Sequence, residues 1–338
     1  MSRQKVLRLT ALLLAVLLTA GMSSSAFAEA GGYDFSRGLE GAVTDYMSSH
    51  GLNENNFSMG FYNTVTGESW FYNPDTFFAA GSMYKLPLVM LYEDMLAEGT
   101  RSPGDYVGGY TILQAMQLAI VNSDNTAAGA LEDGLRMPWR EYRQKAAAYS
   151  GIDMATLPES YYNDNTLSPR IMIGTLQYLY AHSDRYNDLI YWMTQAEPGH
   201  YFRLNPSPYL IAQKYGAFNI PHHIMATCGI IYAPQPYLLV VFINGAYLES
   251  VIADMATLTS AYVDSDAHPV VFRDINVAGG IRLRMNGKEF RPKNALGEEV
   301  DVFTCDGTTY LPVRALAEAL GCEIEWDGDT RTVYISSP

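Results

Sequence analysis

Three short clusters of side chains in this chain have the residue types needed to make and break an ester. Ser82-Met-Tyr-Lys85 places a hydroxyl and an amine three residues apart, on one face of a helix. Ser123-Asp-Asn125 adds a second hydroxyl and a side-chain amide, and Lys214-Tyr-Gly216 adds a second amine beside a residue without a side chain. A serine hydroxyl is a weak nucleophile until a neighbouring base takes its proton. A lysine serves as that base when burial or another cation disfavours its charged form, and Lys214 is the cation available to act on Lys85. A serine at a helix start also sits where the helix dipole favours developing negative charge.

Each cluster has a plain structural alternative. Ser-x-x-Lys recurs at Ser2 and Lys5 in the first residues of the chain. Ser82 and Ser123 suit helix N-caps, and Lys214 suits an ordinary edge strand. The order of the three and the elements beneath them carry the argument. Residues 36–50 read as a helix, and Phe57–Tyr62 and Ser69–Tyr72 as strands joined at Thr66-Gly-Glu68. A mostly helical stretch runs from Ser82 to about Ser183. Leu86–Leu96 within it is apolar nearly all round, and Pro87 falls in an early turn where a missing N–H does little harm. Strands return at Leu210–Ala217, Ile224–Tyr232 and Pro236–Asn244, and 248–263 closes as a helix. This predicts an α+β domain with one antiparallel sheet flanked by helices and a helical insertion. Ser82 then lies where a glycine turn feeds a helix, Ser123 between two helices, and Lys214 on a strand whose Gly216 leaves room for a substrate backbone.

With these residues in place, the chain resembles the class A β-lactamase and penicillin-binding superfamily over roughly Leu39 to Val263. The resemblance implies a β-lactamase/transpeptidase-like fold, with Ser82 as the acylated nucleophile and Lys85 as its base. It implies that Ser123 relays a proton to the leaving nitrogen and that Asn125 contacts the substrate amide and Lys85. Lys214 would supply positive charge, and the backbone N–H groups of Ser82 and Ala217 an oxyanion hole; Tyr215, Gly216 and Ala217 line the substrate. The chain departs from the family pattern at three places. Tyr215 replaces the small hydroxyl that grips a substrate carboxylate. No arginine lies between Arg203 and Arg273 to assist it, leaving His222 and His223 as polar candidates or as part of a solvated loop. Glu159-Ser-Tyr-Tyr-Asn163 matches the spacing of the loop that aims a deacylating water, but Thr166-Leu-Ser-Pro169 follows early, so the loop is short. Glu159 is therefore either the deacylating base or a surface carboxylate. The expectation is acylation by a β-lactam or a D-Ala-D-Ala-like peptide with slow hydrolysis. A carboxypeptidase/transpeptidase-like enzyme and a non-catalytic cell-wall or β-lactam sensor are the alternatives.

The rest of the chain sets the context. Three positive charges, an apolar run over 9–22 and Ala26-Phe-Ala28 predict a secretory signal over 1–28, hence a secreted or envelope-associated protein without a transmembrane anchor. Removing Arg3, Lys5 and Arg8 takes the formal net charge from −14 to −17, which argues against nucleic acid as a partner. The serine hydrolase domain is read over 33–264 and a linker over 265–278. A small α+β module follows over 279–338, with hairpin turns at Asn286-Gly287 and Asp327-Gly328 and a strand over Val300–Thr304 ahead of Asp306-Gly307. A short helix over Val313–Leu320 has Pro312 at its start and Gly321 at its stop. Asp306-Gly-Thr-Thr-Tyr-Leu-Pro-Val-Arg and the Trp326-Asp-Gly turn resemble the copper amine oxidase N-terminal-like domain. The residues do not suit copper: no histidine follows His268, and Cys305 with Cys322 make a poor site. No metal or cofactor is expected, and the module is read either as an attachment to a cell-envelope polymer or as a structural addition. Of the three cysteines, Cys305 and Cys322 either pair or stay as thiols, and at least one of the three lacks an intramolecular partner.

Overall fold

The computed structural model describes residues 33–218, 223–245, 249–265, 278–293, 297, 299–305, 308–327 and 332–337. Residues 1–28, read above as a secretory signal, His222 and most of the expected linker over 265–278 lie outside them. The chain divides into two compact units between residues 269 and 270.

In the first unit, helix α1 (Gly38–His50) precedes the hairpin of β1 (Phe57–Asn63) and β2 (Ser69–Tyr72). Strand β3 (Phe78–Ala79) passes through a 3-10 turn, Gly81–Tyr84, into α2 (Lys85–Ala97). A small hairpin, β4 (Tyr106–Val107) and β5 (Tyr110–Thr111), leads into α3 (Ile112–Val121), α4 (Asn125–Leu135), α5 (Trp139–Ala148) and α6 (Glu159–Asn163). Strand β6 (Thr166–Leu167) pairs with β3, and α7 (Pro169–Ala181) and α8 (Asn187–Gln195) complete the helical part. Strands β7 (Leu210–Phe218), β8 (Ile224–Tyr232) and β9 (Tyr237–Asn244) then return to the sheet, and α9 (Glu249–Asp264) closes the unit.

The five-stranded sheet runs β2-β1-β9-β8-β7, antiparallel throughout. It is covered on both faces, so its central strands read as continuous apolar runs rather than alternating ones. Leu239, Val241 and Ile243 of β9 pack in one core with residues of α1 and α9, and Leu238, Val240 and Phe242 pack in a second core with the helical part. Three helices of the insertion start on side-chain caps. Thr111 forms a capping box with Gln114, Asp124 accepts from the Ala127 N–H, and Ser168 accepts from Ile171 ahead of Pro169. The β3–β6 and β4–β5 pairs are absent from the sequence-based expectation, because two-residue strands are too short to show a period.

Among the described residues the second unit holds three hairpins and one helix. They are β10 (Leu283–Met285) with β11 (Lys288–Phe290), β12 (Phe303–Cys305) with β13 (Thr308–Tyr310), α10 (Val313–Ala319), and β14 (Glu323–Asp327) with β15 (Thr332–Ser336). Asn286 and Gly287 both take positive φ, as the two-residue hairpin turn requires. The strand expected over Val300–Thr304 begins at Phe303, and β13 adds a partner that the sequence reading did not include. Cys322 is a free thiol.

Candidate active site

The helix carrying Lys85 runs through the core between sheet and insertion, with Lys85 to Met90 buried. Ser82 lies one turn earlier, in the 3-10 segment, and is partly exposed. Lys85 is fully buried, and its Nζ donates to Ser123 O at 2.6 Å, Asn125 Oδ1 at 2.7 Å and Asp124 O at 3.3 Å. Three acceptors match the three protons of an ammonium. Burial lowers the Lys85 pKa to about 8, against the opposing pull of Asp124 and Glu132. The Ser82 hydroxyl makes no hydrogen bond to Lys85 in this arrangement. A base role requires Lys85 to lose a proton and release its longest contact, to Asp124.

The Ser123-Asp-Asn125 segment joins α3 to α4. The N-cap of α4 is Asp124, not Ser123. Ser123 takes a left-handed φ of 52°, which costs energy for a non-glycine residue. Its carbonyl meets Lys85 while its hydroxyl accepts from Lys214 Nζ at 2.9 Å. Lys214 sits on edge strand β7, fully buried, and also donates to Tyr215 O at 3.1 Å. Burial pushes its pKa well below the usual lysine range, the charge of Lys85 pushes it further, and Cys228 and Glu197 oppose. Two lysines thus meet one serine, Lys85 at its carbonyl and Lys214 at its hydroxyl.

The close approach of β7 to the nucleophile turn depends on Gly216. A Cβ there would lie 2.1 Å from Ala80 O and 2.8 Å from Ser82 N. On the other side, a Cβ on Gly81, whose φ is +53°, would lie 2.9 Å from Ala217 N. The Gly81-Ser82 turn and the Gly216-Ala217 backbone therefore lie in close contact, an approach that the absence of two Cβ atoms permits.

Tyr215 donates its phenol O–H to Glu197 Oε1 at 2.7 Å and stacks on Tyr201 with ring centroids 4.5 Å apart. Lys214 Nζ lies 4.1 Å from the centre of the Tyr215 ring. Burial raises the phenol pKa most, Glu197 raises it further, and the Ser123 side chain lowers it.

Glu159 lies elsewhere, at the start of α6. Its side chain is 72% exposed and pairs with Arg140 through two contacts of 2.7 and 3.0 Å, with Asn163 bonded to both. The Arg140 contact holds its carboxyl below the usual range. The residue of this segment that reaches the nucleophile turn is Asn165. Its Nδ2 donates to Gly81 O at 2.7 Å and its carbonyl accepts from Ala80 N at 2.9 Å. Asn165 Oδ1 is buried without a hydrogen-bond partner. Buried Arg143 anchors the same segment, donating to Tyr161 O at 2.8 Å and Thr166 O at 2.6 Å. Sequence reasoning missed Asn165, Arg143 and Glu197. Asn165 lies two residues past the expected motif, and the other two belong to no motif. His223 is exposed at the start of β8. Among the described residues no group of three or more His, Cys, Asp or Glu is placed to hold a metal ion.

The profile of the beta-lactamase enzyme family matches residues 39–263, and that of the copper amine oxidase N-terminal domain matches residues 280–337. The chain belongs to the beta-lactamase enzyme family. Among solved structures it is similar to a beta-lactamase from Desulfarculus baarsii, at 18% identity and a TM-score of 0.56, over 69% of this chain and 100% of that one. An ancestral class A beta-lactamase of Gram-negative bacteria matches at 20% identity and a TM-score of 0.56, covering 67% of this chain and 99% of that one. A structure titled PBP-A matches at 19% identity and a TM-score of 0.55, covering 67% and 96%. No curated protein matches in sequence. These likenesses establish a class A β-lactamase-like fold. Among the described residues no helix is long and apolar enough to cross a membrane.

Proposed function

We propose that this protein is an exported active-site serine enzyme that forms an acyl-enzyme with β-lactams and releases it slowly. The observation that carries the reading is the meeting of Lys85 and Lys214 at Ser123, with the Gly216 strand packed against the Ser82 turn. In this reading Ser82 Oγ attacks the lactam carbonyl as neutral Lys85 takes its proton. The oxyanion gathers between the N–H groups of Ser82 and Ala217. Ser123, whose hydroxyl accepts from Lys214 and keeps its own proton free to donate, passes that proton to the departing nitrogen. Asn125 orients Lys85 and faces the substrate amide.

The slow second half rests on Glu159. A deacylating base must lie within reach of a water at the ester, directly or through one hydrogen bond. Glu159 is held on the surface by Arg140, and the segment offers Asn165, an amide that cannot accept a proton as a base, at the nucleophile turn. The same observation favours a second reading, acyl transfer on a cell-wall-type peptide, where a long-lived ester is tolerated. Following hydrolysed product and adduct together tests the half concerning rate. Glu159→Gln is expected to leave both within about twofold of the unsubstituted protein, since a surface change of this kind perturbs little. Loss of product with adduct retained would make Glu159 the deacylating base. The small second unit is proposed as an accessory module, with envelope attachment as its role; pelleting of the mature protein with peptidoglycan, lost when residues 270–338 are removed, tests it.

A further inference from the structure

Beside Lys214 and Ser123, the site carries a phenol and a carboxylate. Tyr215 occupies the position next to Lys214 and Gly216, and its hydroxyl proton is committed to Glu197. What the phenol offers a ligand is therefore its oxygen lone pairs. Glu197 Oε2 takes no hydrogen bond among the described residues, and Glu197 has no ion pair there. Two cations lie nearby, and neither pairs with Glu197 among the described residues. Lys214 donates to Ser123 and to Tyr215 O, and the Arg203 guanidinium donates to the carbonyls of Thr194 and Ala196, behind the loop that presents Glu197.

That loop is held in place at a cost. Glu197 and Tyr201, neither a glycine, both adopt left-handed φ, at 43° and 55°. Fully buried Gln213 ties the loop down through the carbonyls of Ala196, Glu197 and His200 at 3.1, 3.3 and 3.2 Å. The result is a carboxylate fixed on the Tyr215 hydroxyl, and the Tyr215 ring lies 4.1 Å from the Lys214 Nζ that donates to Ser123.

We infer that Glu197, acting with Tyr215, is a specificity determinant that selects acyl donors whose leaving fragment carries an uncharged hydrogen-bond donor, such as a carboxamide, over those carrying a free carboxylate. A carboxylate offers acceptors only and would meet Glu197 as a like charge; a carboxamide supplies N–H groups to Glu197 Oε2 and to the Tyr215 oxygen. For a peptide donor this means a leaving residue whose own carboxyl is in amide linkage rather than a chain terminus. The inference rests on the acyl-enzyme reading above.

The test compares benzylpenicillin with its carboxamide, which differ only at this group. Acylation of the full mature protein is followed by intact mass. Each rate constant is divided by the compound's own hydroxide hydrolysis rate. The expected result is a preference of about tenfold or more for the carboxamide. In Glu197→Gln, which keeps an acceptor for Tyr215 while removing the charge, the ratio falls toward one, chiefly because benzylpenicillin reacts faster. Tyr215→Phe, which frees Glu197 from its donor, should retain the preference. A preference for benzylpenicillin, or a ratio that Glu197→Gln leaves unchanged while both compounds still acylate Ser82, overturns the inference alone. No adduct with either compound removes the acyl-enzyme reading, and the inference with it.

Discussion

At the scale of single residues, the chemistry turns on the protonation of Lys85. Burial holds its pKa at about 8, and only the neutral amine can take the proton of Ser82. The rate of acylation is therefore expected to rise with pH and to level off above an inflection near about 8. The sign follows from the base role: below the inflection the ammonium predominates and its three acceptors hold it away from Ser82. Acylation rates measured over a pH series, each normalised to the reagent's own hydrolysis, test this. A profile that falls with rising pH would remove Lys85 from the base role. The residue types at this centre were legible in the sequence, because Ser82, Lys85, Ser123, Asn125 and Lys214 sit in short motifs. Glu197 was not, since a loop residue that meets Tyr215 only through the fold leaves no periodic or motif signal.

At the scale of elements, two contacts set the geometry, and each predicts a distinct failure. Gly216 lets β7 lie against the nucleophile turn. Gly216→Ala would place a methyl group inside the contact distances of Ala80 O and Ser82 N and force the two donors apart. Acylation is expected to fall by roughly 100- to 1000-fold, as for loss of an oxyanion donor, with the fold retained by circular dichroism. An unchanged rate would mean that β7 is not part of the oxyanion site. Arg143 acts instead on the short segment around α6. Arg143→Met would leave the carbonyls of Tyr161 and Thr166 unpaired and cost about 3 kcal/mol of stability in denaturant titration, at the level of lost charged hydrogen bonds. A change below about 0.5 kcal/mol would show that packing alone holds the segment. The long strands and helices were legible because burial imposes a run or a period on them. The path of the segment past Glu159 was not, because its course is set by Arg143 and Asn165, both of which bond to distant backbone groups.

At the scale of the whole molecule, the two units differ in how much core they have. The first packs two apolar clusters on either face of its sheet. In the second, Val302, Ala315 and Ala317 are the apolar residues buried among those described. A unit of this size is near the lower limit for folding by itself. Calorimetry of the mature protein is expected to show two transitions, the smaller and cooler one vanishing when residues 270–338 are removed. A single transition at an unchanged position in both proteins would contradict this. The acylation rate of the shortened protein should stay within about twofold of the original, because every residue of the proposed site lies in the first unit. The resemblance of the tail was readable from a continuous run of residues around Leu311-Pro-Val-Arg314, whereas its β12–β13 hairpin was not, Thr308–Tyr310 having no apolar run to mark it as a strand.

The most direct test of the central claim is intact mass of the mature protein during incubation with excess benzylpenicillin, with Ser82→Ala in parallel. A stable adduct of one drug mass that persists for many minutes, maps to Ser82 and is absent from the alanine variant is the predicted result. Rapid accumulation of hydrolysed drug with only a fleeting adduct would contradict slow release, and the absence of any adduct would contradict Ser82 as the acylated nucleophile.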